Sequence, residues 1–191
     1  MHQIFNMTHK TIFDKEFQFV DDDFIYNYQP ELTKRLDNIT KQIDQNIINE
    51  IILWKVSRYA LVDSETLILL NSVKRKSTNL DEEKTRMILR KLIKIKGIKL
   101  AVASTILRFI NKYTFQIIDQ RVYRIINPDK NLEKESCIKH QDIEGQIDLY
   151  LNYLKDLKKY CGEYKIKFED ADRVFYMADK RINKAIKLEN H

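Results

Sequence analysis

The sequence predicts an all-α protein, and three observations carry that expectation. Turn residues are scarce: the 191-residue chain has only Gly97, Gly145, Gly162, Pro30 and Pro128, too few for a sandwich, a barrel or a Gly-rich nucleotide loop. Apolar residues recur at three- and four-residue steps, the signature of one buried helix face. Hydrophobic residues make up 43% and charged residues 32% of the chain, a balance that folds around a core. No apolar run approaches the ~18 residues of a membrane span, and the start, MHQIFNMTHKTIFDKEF, lacks the apolar stretch of a signal peptide. Cys137 and Cys161 are too few for a disulfide framework or for the four thiolates of an iron–sulfur cluster. The expectation is a cytoplasmic protein with no membrane partner.

Taken in order, residues 1–30 mix aromatic residues with an Asp-Asp-Asp run and suggest an arm or short helix. Residues 31–191 are expected to form a single helical unit. From Glu31 the apolar positions Leu32, Leu36, Ile39, Ile43, Ile47, Ile48, Ile51, Ile52 and Val56 have helical spacing. Asp63 or Ser64 opens a capping box, predicting a short buried helix through DSETLILLNSV. KRKSTNLDEEKTR reads as a linker entering a helix over Glu82–Ile95. Gly97 interrupts the pattern, and a second helix is expected from Leu100 to about Asn111, giving a hairpin over 84–111. Asn127-Pro128 begins a loop to about Ile138, followed by helices at Asp142–Cys161 and Glu169–Leu188, the latter capped by Asp170.

Charge is strongly segregated. The net charge of the chain is +6, yet the window from Lys84 to Arg124 holds eleven basic residues and one acid, Asp119. That window is +10 and the remainder −4. A cationic region of this kind suits a polyphosphate partner, though a solvated basic helix face would have the same composition.

The stretch from Leu92 to Ser104 joins an apolar helix end, a single Gly, one buried Ile and a small-residue helix start. It describes two helices meeting at a tight turn, with Gly97 supplying the positive φ such a turn needs. The amides at the start of the second helix then favour a phosphate. After Ile106-Leu107-Arg108-Phe109 and Phe115-Gln116-Ile117-Ile118 comes Asp119, twenty residues beyond Lys99 and just ahead of another helix. Asp119 can cap that helix or act as a carboxylate inside a cationic groove.

The hairpin and the aspartate, in this order and spacing, resemble the helix-hairpin-helix DNA glycosylase superfamily. The wording AxASxIL…IIDxRVY is similar to a bacterial 8-oxoguanine-glycosylase-like branch, and Trp54-Lys55-Val56-Ser57-Arg58 and DADRVFYMADKRIN (170–183) agree with it. The resemblance covers about residues 45–185 and implies a two-lobed helical fold, with the hairpin and Asp119 facing a cleft between lobes. It implies a hydrolase that flips a base from double-stranded DNA and cleaves its N-glycosidic bond. Asp119 would stabilise the sugar cation or activate water. Gly97, Ile98, Lys99 and Ala101, with Lys94, Lys96 and Arg121, would hold the DNA.

Bifunctional members carry a Schiff-base lysine where this chain has Ala101, which implies a monofunctional enzyme with water as nucleophile. Lys55 is the replacement nucleophile if strand cleavage occurs. Lys99 stands where the family usually has its second Gly. No cofactor is implied beyond a structural Na+ or K+ on the backbone carbonyls of Ile93, Ile95 and Ile98. Trp54 and Arg58 share a helix face: Trp54 could stack on the flipped base, or sit in the core with Arg58 over its ring. Tyr123 and Phe175 read as core. Cys137 with His140 reads as surface loop more than as a metal pair. The expected protein is a monomer associated with the nucleoid, acting in base excision repair or in defence against phage hypermodified bases. The alternative is a non-catalytic helix-hairpin-helix DNA-binding module.

Overall fold

A computed structural model describes residues 25, 28–40, 42–56, 59–127, 142–186 and 188. The expectations for residues 1–24, for Arg58, and for Cys137 and His140 in the loop after Asn127 lie outside the described residues. Among those described there are eight α-helices, one 3-10 turn and no strand, as composition predicts. No helix among them is long and apolar enough to cross a membrane.

The chain divides into two compact units, Met1–Tyr59 and Ala60–His191. In the first, α1 (Pro30–Asp37) and α2 (Gln45–Lys55) pack together. Pro30 sits at the first helical position, where its missing N–H costs nothing. Asp44 caps α2 through the Ile47 amide. The periodic run from Leu32 is therefore broken between residues 37 and 45, and Leu32 and Ile47 are its buried members.

In the second unit, α3 (Ser64–Asn71) is capped by Asp63 through the Thr66 amide and hydroxyl. The expected burial of α3 is only partly met: Thr66 and Leu70 are buried, whereas Leu67 and Ile68 are exposed. α4 (Glu82–Lys94) is capped by Asp81 and buries Thr85, Ile88, Leu89 and Leu92, an i, i+3, i+4, i+7 stripe. It packs on α3, α5 (Leu100–Ile110) and α7 (Ile143–Glu163). Ile147, Tyr150, Leu151, Leu154 and Leu157 make α7 the spine of the core. Burying a side chain such as Leu92, at 0% exposure, contributes about 1.5–3 kcal/mol. Leu92→Ala would also leave a cavity and cost about 2–5 kcal/mol.

α6 (Gln120–Ile126) packs on α7 and on α8 (Ala171–Ile182). The last helix begins later than the sequence suggests, because Phe168–Asp170 form a 3-10 turn first. Asp170 occupies its N-cap position without a side-chain capping bond.

Candidate nucleic-acid interface and carboxylate site

The hairpin forms where the sequence places it. α4 ends as Ile95 turns extended, and Gly97 has φ +89°, a left-handed conformation that L side chains rarely adopt. Ile98 donates its amide to the Ile95 carbonyl at 3.0 Å and buries its side chain. Lys99 is the N-cap of α5 in extended conformation, with no side-chain capping bond. By contrast, α2, α3, α4, α6 and α7 each receive an aspartate cap. Ala101 and Val102 are exposed in the first turn of α5, and Lys94, Lys96 and Lys99 are exposed around it. None of the three lysines forms an ion pair among the described residues. Ala101 and the small, fully buried Ala103 and Ser104 suit the close approach of the second hairpin helix.

Of the three carbonyls proposed for a cation, that of Ile95 already accepts the Ile98 amide. That carbonyl keeps a second lone pair, and the chemistry proposed for the site uses no cation. No group of three or more His, Cys, Asp or Glu side chains able to hold a metal occurs among the described residues.

Asp119 ends an irregular segment, Phe115–Asp119, whose backbone has no sheet partner among the described residues. Side chains from three helices satisfy it instead. Tyr150 and Tyr153 of α7 donate their hydroxyls to the carbonyls of Gln116 (3.0 Å) and Ile117 (2.6 Å). Burial pushes both phenols well above their ordinary range, so they stay protonated as donors. The Ile118 amide donates to Ser104 Oγ at 3.2 Å, and Ser104 Oγ donates in turn to the Ala101 carbonyl at 2.8 Å. The Ile117 amide donates to Asp172 Oδ2 at 3.4 Å, and the Asp172 amide donates to Gln116 Oε1 at 3.2 Å. The first turn of the hairpin helix and the residue before Asp119 are thus joined through one serine hydroxyl.

Asp119 itself is half-buried, and its Oδ1 accepts the Arg121 amide at 2.8 Å, capping α6. α8 grips the chain on both sides of it. Asp172 pairs with buried Arg108 at 3.2 Å, while its Oδ1 is buried without a hydrogen-bond partner. Asp179, fully buried, binds Arg124 at 2.7 Å, Arg121 at 3.1 Å and Asn183 Nδ2 at 2.7 Å. Burial would raise the Asp179 carboxyl, but the hydrogen bonds from Arg124, Asn183 and Arg121 outweigh it and hold the group below its ordinary range. Arg121, which sequence groups with the DNA contacts, therefore has its guanidinium on Asp179 and over the Tyr176 ring.

The cationic window is less free than its composition suggests. Seven of its eleven basic residues face carboxylates: Arg86, Arg90, Lys91, Arg108, Lys112, Arg121 and Arg124. Lys84 donates to the Ser72 carbonyl, leaving Lys94, Lys96 and Lys99 at the hairpin.

Trp54 and Lys55 belong to the first unit. The Trp54 indole donates to Thr33 Oγ1 at 2.8 Å, and its ring meets Tyr28 edge to face at 5.2 Å. Lys55 is exposed at the end of α2. Tyr123 and Phe175 are core residues, as sequence suggests, and burial pushes the Cys161 thiol up to about 11. A cavity of about 290 Å³ lies away from Asp119, lined by residues that include Lys74, Asp81, Lys84, Asn111 and Phe115.

Sequence reasoning missed Gln116, Tyr150, Tyr153, Asp172 and Asp179. One signal existed: Asp172 and Asp179 lie seven apart, on the helix face that also carries buried Phe175, where a carboxylate needs a partner. No family model matches the chain, and no curated protein or solved structure matches it.

Proposed function

We propose that the protein is a monofunctional DNA glycosylase that removes a damaged or modified base and leaves an abasic site. Water attacks the anomeric carbon as the glycosidic bond breaks, and the bonding electron pair leaves with the base. Asp119 stabilises the positive charge that builds on the sugar, or accepts the proton of the attacking water. The α5 amides and Lys94, Lys96 and Lys99 bind the backbone phosphate. The observation that carries this reading is the Ser104 link, from Ala101 in the hairpin helix to Ile118 beside Asp119. A phosphate held at the hairpin is thereby held at a fixed position relative to the carboxylate.

The experiment is incubation with duplexes bearing oxidised, alkylated and hypermodified bases. The expected product is DNA that stays intact until alkali or heat breaks it at one site. Borohydride trapping of a stoichiometric protein–DNA adduct would overturn the assignment of water as nucleophile and direct attention to Lys55 or Lys99. Failure to release any base in the panel supports the second reading, a DNA-binding module without chemistry. The hydrogen bond from the Arg121 amide to Asp119 favours that reading, since a helix cap alone would explain the residue.

A further inference from the structure

The loop between α3 and α4 carries Lys74, Arg75 and Lys76, and the function proposed above uses none of them. All three are exposed, and none forms an ion pair among the described residues. The Ser77 amide donates to the Lys74 carbonyl at 3.2 Å, closing a turn with Arg75 and Lys76 at its centre. Exposed loops are ordinarily mobile, but this one is fastened from beneath. Asn111, 2% exposed, donates from Nδ2 to the carbonyls of Lys74 (2.8 Å) and Ser77 (2.9 Å). Thr114 donates its hydroxyl to the same Ser77 carbonyl, and Lys84 anchors the entry at Ser72. Three adjacent like charges repel one another, and this framework holds them together with none paired to a carboxylate among the described residues. A polyanion relieves that repulsion.

We propose that the Lys74–Lys76 turn is a second phosphate contact for duplex DNA, separate from the hairpin; the choice of DNA rests on the glycosylase reading. α4 connects the two cationic sites, and its 13 residues span about 20 Å. A duplex advances about 3.4 Å per base pair. Along a duplex lying on α4 the two contacts are therefore about six base pairs apart.

The test is fluorescence anisotropy with a fluorescein-labelled duplex of ~20 base pairs, titrated between roughly 50 and 200 mM salt. The variant Lys74→Gln, Arg75→Gln, Lys76→Gln should weaken binding about tenfold or more at the low-salt end. It should also reduce the slope of log affinity against log salt by about 2 to 3, close to one unit per lost phosphate contact. The charge-conserving variant Lys74→Arg, Lys76→Arg should keep the wild-type slope. Wild-type affinity and slope in the glutamine variant would overturn the contact, as would absence of wild-type binding at low salt. Equal loss in the arginine variant would overturn it too, because charge would not be the cause. Gly97→Val separates this contact from the hairpin: binding unchanged by that substitution but weakened by the glutamine variant would sink the hairpin reading and leave the turn standing.

Discussion

Asp119 performs two tasks that one substitution can separate. Asparagine retains an oxygen that accepts the Arg121 amide, now at 2.8 Å from Oδ1, so the α6 cap survives while the negative charge is lost. Single-turnover excision by Asp119→Asn should fall on the order of a hundredfold or more, with DNA binding kept or tightened because a carboxylate repels phosphates. Asp119→Ala removes the cap as well and should lose about 1 kcal/mol of stability in a denaturation curve. Wild-type excision by the asparagine variant would reduce Asp119 to a cap. Asp119 was legible in the sequence because a helix start and an isolated acid are local signals. Its supports were not. Tyr150 reaches Gln116 from 34 residues away, Tyr153 reaches Ile117 from 36, and Asp172 reaches Ile117 from 55. No periodicity encodes such pairs; they arise because an irregular segment must find hydrogen-bond partners among the helices around it.

At the scale of elements, glycine and left-handed backbone make opposite predictions at three positions. Gly162 lies inside α7, and a Cβ there would meet nothing within 4 Å. Gly162→Ala should therefore stabilise by about 0.5–1 kcal/mol, raising the melting temperature by about 1–4 °C for a chain of this size. Lys165, just beyond the same helix, is held at φ +55°, so Lys165→Gly should relieve about 1 kcal/mol of strain and shift the melt the same way. Gly97→Val has the opposite sign: at φ +89° it should cost about 1–2 kcal/mol and weaken DNA binding, with Asp119 left in place. The ends of the two hairpin helices were legible to within a residue because Gly97 is punctuation in the local sequence. The exposure of Leu67 and Ile68 was not, since hydropathy says which side chains are apolar and not which apolar side chains find a neighbour. The late start of α8 was hidden for a similar reason, because residues 168–170 carry an ordinary helical composition while adopting a 3-10 turn.

Charge is organised by the whole molecule, and both acid and salt should reveal it. The folded protein holds Asp179 below its ordinary range, so the unfolded chain binds this proton more readily. That stability is present above the unfolded value near pH 4 and is lost as pH falls through the folded value. Asp179→Asn should flatten the acid limb of the stability profile, whereas Asp179→Ala, which strands two arginines, should cost about 3–5 kcal/mol at neutral pH. An unchanged acid limb in the asparagine variant would show that another carboxylate governs it. Salt asks how many cations remain for DNA. Read from composition, the Lys84–Arg124 window offers eleven, which would give a slope of log affinity against log salt near −10. Folding pairs seven of them with carboxylates drawn from α3, α4, α7, α8 and the turn before α8. The hairpin lysines alone then supply about three phosphate contacts, and the Lys74–Lys76 turn raises the total to about six. The slope measured with duplex DNA should accordingly lie near about −5, falling to about −3 when the turn is neutralised. A value near −10 would mean that DNA displaces carboxylates from the paired cations, the more exposed pairs of Arg86, Arg90, Lys91 and Lys112 first.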